Sequence, residues 1–158
     1  MSPAKIAAIL GSIFLSLLLA AFAWDSSTML AHAYDEVNSV DKEISRQEHR
    51  YLESLKGLTP NVEISNLISS YEAAQSPTER SERFETLNSE VNKQIVTSLD
   101  PTNPIKRPLL DELVGALNRR KIARAELTAR ADRYNQLSQG FRGRIARSFL
   151  SLPIEWGR

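Results

Sequence analysis

Nineteen consecutive residues, Ile6 to Trp24, carry no charge, and no other feature constrains the chain as much. As a helix rising 1.5 Å per residue the run spans about 28 Å, close to the hydrocarbon thickness of a bilayer. A soluble helix of that length would normally show a polar face. Residues 1–25 therefore read as a transmembrane anchor. A cleaved signal peptide is the alternative, because Ala21-Phe22-Ala23 has the small-x-small pattern that signal peptidase reads. The run is longer than the roughly 7 to 15 apolar residues of such a peptide, and only Lys5 precedes it, which favours the anchor.

Lys5 and the amino terminus lie before the segment, whereas Asp25, Asp35, Glu36 and Asp41 follow it. By the positive-inside rule the N-terminus is expected in the cytoplasm, with the rest of the chain periplasmic or extracellular. Trp24 suits the membrane interface.

Beyond the anchor, apolar residues recur at Leu30, Val37, Ile44, Tyr51 and Leu58, a strict seven-residue repeat. Ala33 and Val40 fill a second row, which Gln47 and Ser54 break. The stripe is coiled-coil-like, and packing within the chain is favoured over a dimer zipper. Gly57, as a left-handed cap, and Pro60, in a first turn, are expected to end this helix and start the next near residues 57–60. Ile64, Leu67, Ile68 and Tyr71 form a short stripe that stops at Ser76-Pro77-Thr78-Glu79, a capping box with proline at N1. A third helix runs through Phe84, Leu87, Val91, Ile95 and Leu99 until Asp100-Pro101-Thr102-Asn103-Pro104 breaks it. A last helix is expected from about Pro108 to Leu150. Its stripe is Leu109, Leu113, Ala116, Ala123, Leu127, Ala131, Tyr134, Phe141, Ile145 and Phe149, with Arg120 as a polar interruption and Gly140 and Gly143 as weak points.

The fold class read from this order is all-α. A transmembrane helix precedes an antiparallel bundle of about four helices, two of them long, over residues 26–150, with a tail at 151–158. If short-linked helices alternate in direction, their lengths return the C-terminus to the neighbourhood of the bilayer. Residues 25–100 carry 7 Lys/Arg against 14 Asp/Glu, and residues 101–158 carry 12 against 5. Pairing between early acidic and late basic helices is the expected use of that asymmetry.

No catalytic chemistry is legible. The chain lacks cysteine, His32 and His49 lie outside any metal-ligand spacing, and no glycine-rich phosphate loop or nucleophile elbow occurs. No cofactor or metal is expected. The paired acids Asp35/Glu36 and Glu79/Glu82 read as solvent-facing. Arg119, Arg120, Lys121, Arg124, Arg130 and Arg133 form a basic row that would suit phosphate, but an extracytoplasmic domain is not expected to meet nucleic acid. The segment from Phe141 to Trp156 alternates cations with large apolar groups. Arg142, Arg144, Arg147, Phe149 and Trp156, together with Trp24, are candidate contacts to anionic lipid, and completion of the bundle stripe by Phe141, Ile145 and Phe149 is the competing reading.

Two stretches carry a family resemblance. Leu58-Thr59-Pro60-Asn61-Val62 is similar to the turn after the first long helix in the LemA family of bacterial membrane proteins. Arg130-Ala131-Asp132-Arg133-Tyr134-Asn135, with Phe141 and Ile145, resembles that family's final helix. The chain departs from the pattern at Arg142 and at Phe149-Leu150, as a divergent relative would. The resemblance implies an extracytoplasmic or membrane-adjacent helical bundle without established enzymatic activity, sometimes linked to membrane-protein quality control or envelope functions. The expected role is a noncatalytic interaction or assembly module, or an accessory subunit, whose partners are membrane lipid and another membrane or envelope protein. A module that binds anionic lipid is the alternative.

Overall fold

Between Gly11 and Gly57 the sequence has neither glycine nor proline, so nothing interrupts a helix where the apolar run gives way to polar residues. In a computed structural model, which describes residues 2–58, 61–96, 104 and 106–156, that stretch is one helix, α1 (Pro3–Gly57). The hydroxyls just past the apolar run bond back to its carbonyls. Ser26 Oγ donates to the Phe22 carbonyl at 2.7 Å and Thr28 Oγ1 to that of Trp24 at 2.9 Å.

Every other element described is also helical: α2 (Val62–Glu72), α3 (Pro77–Val91) with a π-helical continuation over Asn92–Val96, α4 (Arg107–Gln139) and α5 (Phe141–Arg147). Helix α2 starts two residues later than a proline at its first position would place it, because Asn61 is the cap and accepts from the Ile64 N–H at 2.9 Å. Pro60 lies outside the described residues, as do Leu99 and residues 100–103 of the expected break. Gly57 is not left-handed; its lack of a Cβ serves close packing, since a Cβ there would stand 3.1 Å from Leu109 Cδ1. The cap at α3 is Ser76, which accepts from the Glu79 N–H at 3.2 Å, while the Glu79 carboxylate reaches back to the Gln75 N–H at 2.9 Å. The Gln75 N–H first, and the charge of Arg83 after it, hold the Glu79 carboxyl below its ordinary range.

The expected last helix is two helices. At Gly140 the backbone turns extended and caps α5, and the chain then folds so tightly that a Cβ on Gly143 would lie 2.1 Å from the Leu137 carbonyl oxygen. Only glycine fits there. The break also re-aims the apolar residues. Gly143 and Ala146 become the buried members of α5, while Phe141 and Phe149, read from sequence as stripe, are 70% and 69% exposed.

Contacts divide the chain into two units. The first, residues 1–41 and 125–158, has a small core of Leu30, Ala33, Val37, Tyr134 and Ala146, with Leu127, Ala131, Leu152 and Trp156 packed on it. The second, residues 42–124, has the larger core, in which Tyr51 and Leu58 of the seven-residue repeat, with Leu55 beside them, meet Ile64 and Ile68 of α2, Phe84, Leu87 and Val91 of α3, and Leu113 and Ala116 of α4. The second row of α1 does not end where the sequence turns polar, for Gln47 and Ser54 remain buried. The apolar run of α1 is the exception to all this packing. Its most apolar eighteen-residue window has no buried residue, and the helix is long and apolar enough to cross a membrane.

Candidate functional site

Charged groups on paper suggest a site in unit 2, and the structure shows where they go. Arg120, the polar step in the α4 stripe, is 2% exposed; its Nε donates to Glu48 Oε1 at 2.7 Å and its Nη1 to Glu85 Oε1 at 2.8 Å. Glu48, equally buried, accepts from the Tyr71 hydroxyl at 2.6 Å on its other oxygen. The guanidinium lies over the Phe84 ring, 3.8 Å from Cζ to centroid, and its Nη2 is buried without a hydrogen bond. Burial first, and the bond to Glu48 second, push the Tyr71 phenol above its ordinary pKa; burial does the same to Tyr51. The arrangement closes on itself. It is a polar centre inside an apolar core, with Nε and Nη1 of Arg120 and the Tyr71 hydroxyl all committed to carboxylates.

The remaining arginines of that row are spent in the same way, and Lys121 is exposed. Arg124 shares Glu85 at 3.0 Å, and Arg119 bonds Glu112 and Gln47. In unit 1 Glu36 accepts from Arg130 at 2.7 Å and pairs with Arg133 at 3.6 Å, and the Arg130 bond is the main reason its carboxyl lies below the usual range. Acidic α1 and α3 residues thus neutralise α4 arginines within each unit. His32 and His49 are exposed, and no group of three His, Cys, Asp or Glu among the described residues could hold a metal. His49 borders an open groove with Ser45, Leu52, Tyr71, Glu72 and Arg80, but the Tyr71 hydroxyl is turned inward to Glu48.

Unit 1 holds what the core does not consume. Where the apolar run of α1 ends, Arg142 of α5 ion-pairs with Asp25, its Nε reaches Ser26 Oγ at 3.3 Å, and its guanidinium stands 5.3 Å from the Phe22 ring. Phe141 and Phe22 lie 6.4 Å apart, centroid to centroid. Trp24, on the same stretch of α1, is 75% exposed. Arg144 is exposed and Arg147 half-buried.

The Tyr-Asn pair has a clear structural task. Tyr134 donates its hydroxyl to the Pro153 carbonyl, the Asn135 side-chain oxygen accepts the Trp156 N–H at 2.9 Å, and Ser138 donates to the Ile154 carbonyl. Trp156 is half-buried on the unit 1 core, its indole N–H 3.4 Å from Asn38 Oδ1. The C-terminal tail is therefore strapped along α4. Of the other positions singled out from sequence, Leu58 is buried, Asn61 is the α2 cap, Ile145 is half-buried and Phe149 is exposed.

Sequence reasoning missed the Glu48–Tyr71 half of the polar centre, because Glu48 follows Gln47 among charges that read as a solvated face. It missed the strap as well. No local pattern announces that Tyr134 and Asn135 will find backbone partners about twenty residues on. Comparison with protein-family models, with curated proteins and with solved structures finds no match to the chain.

Proposed function

We propose that the chain is a noncatalytic, single-pass membrane protein whose helical domain, an antiparallel bundle, serves as an interaction or assembly module or accessory subunit of an envelope membrane complex. The N-terminus is cytoplasmic in this reading and the domain periplasmic or extracellular. One observation carries it: the apolar run of α1 has no buried residue in its most apolar window, while the same helix continues without a break into packed cores. A bilayer is the solvent that suits such a surface. The committed charges support a binding role over a chemical one. So does the resemblance to the LemA family at Arg130, Tyr134 and Asn135, which implies the same class of protein.

A photo-crosslinking residue at Ile122, an apolar side chain 69% exposed on α4, tests the partner in intact membranes. A discrete adduct with a second membrane or envelope protein is expected. Adducts with lipid alone, or none, would count against an assembly role. A second reading, a module for anionic lipid surfaces, draws on the exposure of Phe141 and Phe149 beside the α5 arginines.

A further inference from the structure

We propose that the turn between α4 and α5, led by Phe141 with Arg144 behind it, is a second membrane contact that seats on anionic lipid beside the base of the apolar run. The proposal rests on that run crossing the bilayer, and it locates the lipid-facing surface at this turn and not along the C-terminal tail.

Phe22 belongs to the uncharged run, and Phe141 packs against it while remaining 70% exposed. A bilayer whose hydrocarbon covers Phe22 must therefore meet Phe141. Local contacts hold the turn in place. Arg142 is held by Asp25, by Ser26 and over Phe22, and the fit at Gly143 leaves no room for even a methyl group. With the unburied run beside it, the Phe141 ring is part of a contiguous exposed apolar surface, the kind that marks a membrane or partner contact. The charges select the lipid. Arg142 already cancels Asp25, so Arg144, one helical turn after Phe141 and in no ion pair among the described residues, is the free cation at that level. Interfacial segments pair apolar insertion with cations in this way.

Phe149 supplies the contrast. It is as exposed as Phe141 and chemically identical, but it lies beyond the far end of α5, roughly 10 Å along that helix from Phe141.

The absence of cysteine allows single labels on the full-length protein. Phe14→Cys, Phe141→Cys and Phe149→Cys, each carrying an environment-sensitive fluorophore, would be reconstituted in phosphatidylcholine vesicles with or without phosphatidylglycerol and quenched by spin-labelled lipid. The expected result is strong quenching at 14, and at 141 at least about threefold more than at 149, as suits a group within about 5–10 Å of the acyl boundary. Arg144→Gln, read from a label at Gln139 with Phe141 intact, should lower quenching in the anionic vesicles only. Quenching at 14 without quenching at 141 overturns the turn contact and leaves the anchor standing. Equal quenching at 141 and 149 overturns the assignment to the turn. No quenching at 14 removes the anchor and this inference with it.

Discussion

Glu48 and Arg120 meet at 2.7 Å with both side chains almost wholly shielded from water. Such a pair is held by its geometry, because each ion lost its hydration to reach the other. Arg120→Met strands the buried Glu48 carboxylate and is expected to cost about 3–5 kcal/mol in denaturant unfolding, while Glu48→Leu, which leaves Arg120 only the half-exposed Glu85, costs less. The double variant Glu48→Leu/Arg120→Met should lose much less than the sum. Additive losses would mean that the pair is not coupled.

The two glycines of the α4–α5 turn differ sharply in what they tolerate. Gly143→Ala drives a methyl into the Leu137 carbonyl at 2.1 Å, whereas the nearest atom to a Cβ at Gly140 is 3.4 Å away. Gly143→Ala is expected to destabilise unit 1 by roughly 1–3 kcal/mol, the usual range for overpacking. Gly140→Ala should be close to neutral. Equal effects would show that the turn is not closed in the way described.

Acid should loosen unit 1 through Glu36. Arg130 holds this carboxyl below its usual 4.5, so the folded state binds its proton less readily than the unfolded chain does. The resulting stability is present above pH 4.5 and is lost as the pH falls below it through the folded value. Glu36→Gln removes that dependence, and the acid limb of the thermal unfolding midpoint should flatten relative to wild type. An unchanged limb would assign acid sensitivity elsewhere, for instance to Glu79.

Base acts on the tyrosines with the opposite sign. Burial raises Tyr51, Tyr71 and Tyr134, so their protonated forms favour the folded state, and stability is intact below pH 10 and falls as the pH rises beyond it. Phenolate absorbance from these three should emerge together with loss of helix signal. Ionisation that precedes unfolding would place the rings closer to water than they are.

Much of the helix order was legible because it depends on local rules. The repeat at Leu30, Val37, Tyr51 and Leu58 and the cap at Ser76 need only neighbouring residues to declare themselves, and all are found in those roles. The misreadings share a cause: the outcome was decided by a residue distant in sequence or by a steric limit. Arg120 looked like an interruption until Glu48, 72 positions earlier, was seen to complete it. Phe141 fitted the helical stripe, but the period assumes an unbroken helix, and the fold at Gly140 and Gly143 rotated it into the open.

The same logic gives the Tyr-Asn pair its sharpest test. Tyr134 is fully buried, and its hydroxyl is bonded to the carbonyl of Pro153 on the tail. Tyr134→Phe keeps the ring against Tyr34, 5.7 Å away, and removes only the strap. One such bond is worth about 0.5–1.5 kcal/mol, more when its loss leaves a buried acceptor unpaired. Cleavage by carboxypeptidase and amide exchange at Ile154–Trp156 should both accelerate, by roughly threefold to tenfold if opening of the tail is the limiting step. Asn135→Ala should act on the same residues, because it withdraws the acceptor of the Trp156 N–H. Neither change should alter exchange in the Tyr51–Phe84 core of unit 2. If exchange there rises in step with that of the tail, the Tyr-Asn pair supports the whole fold and is not a strap.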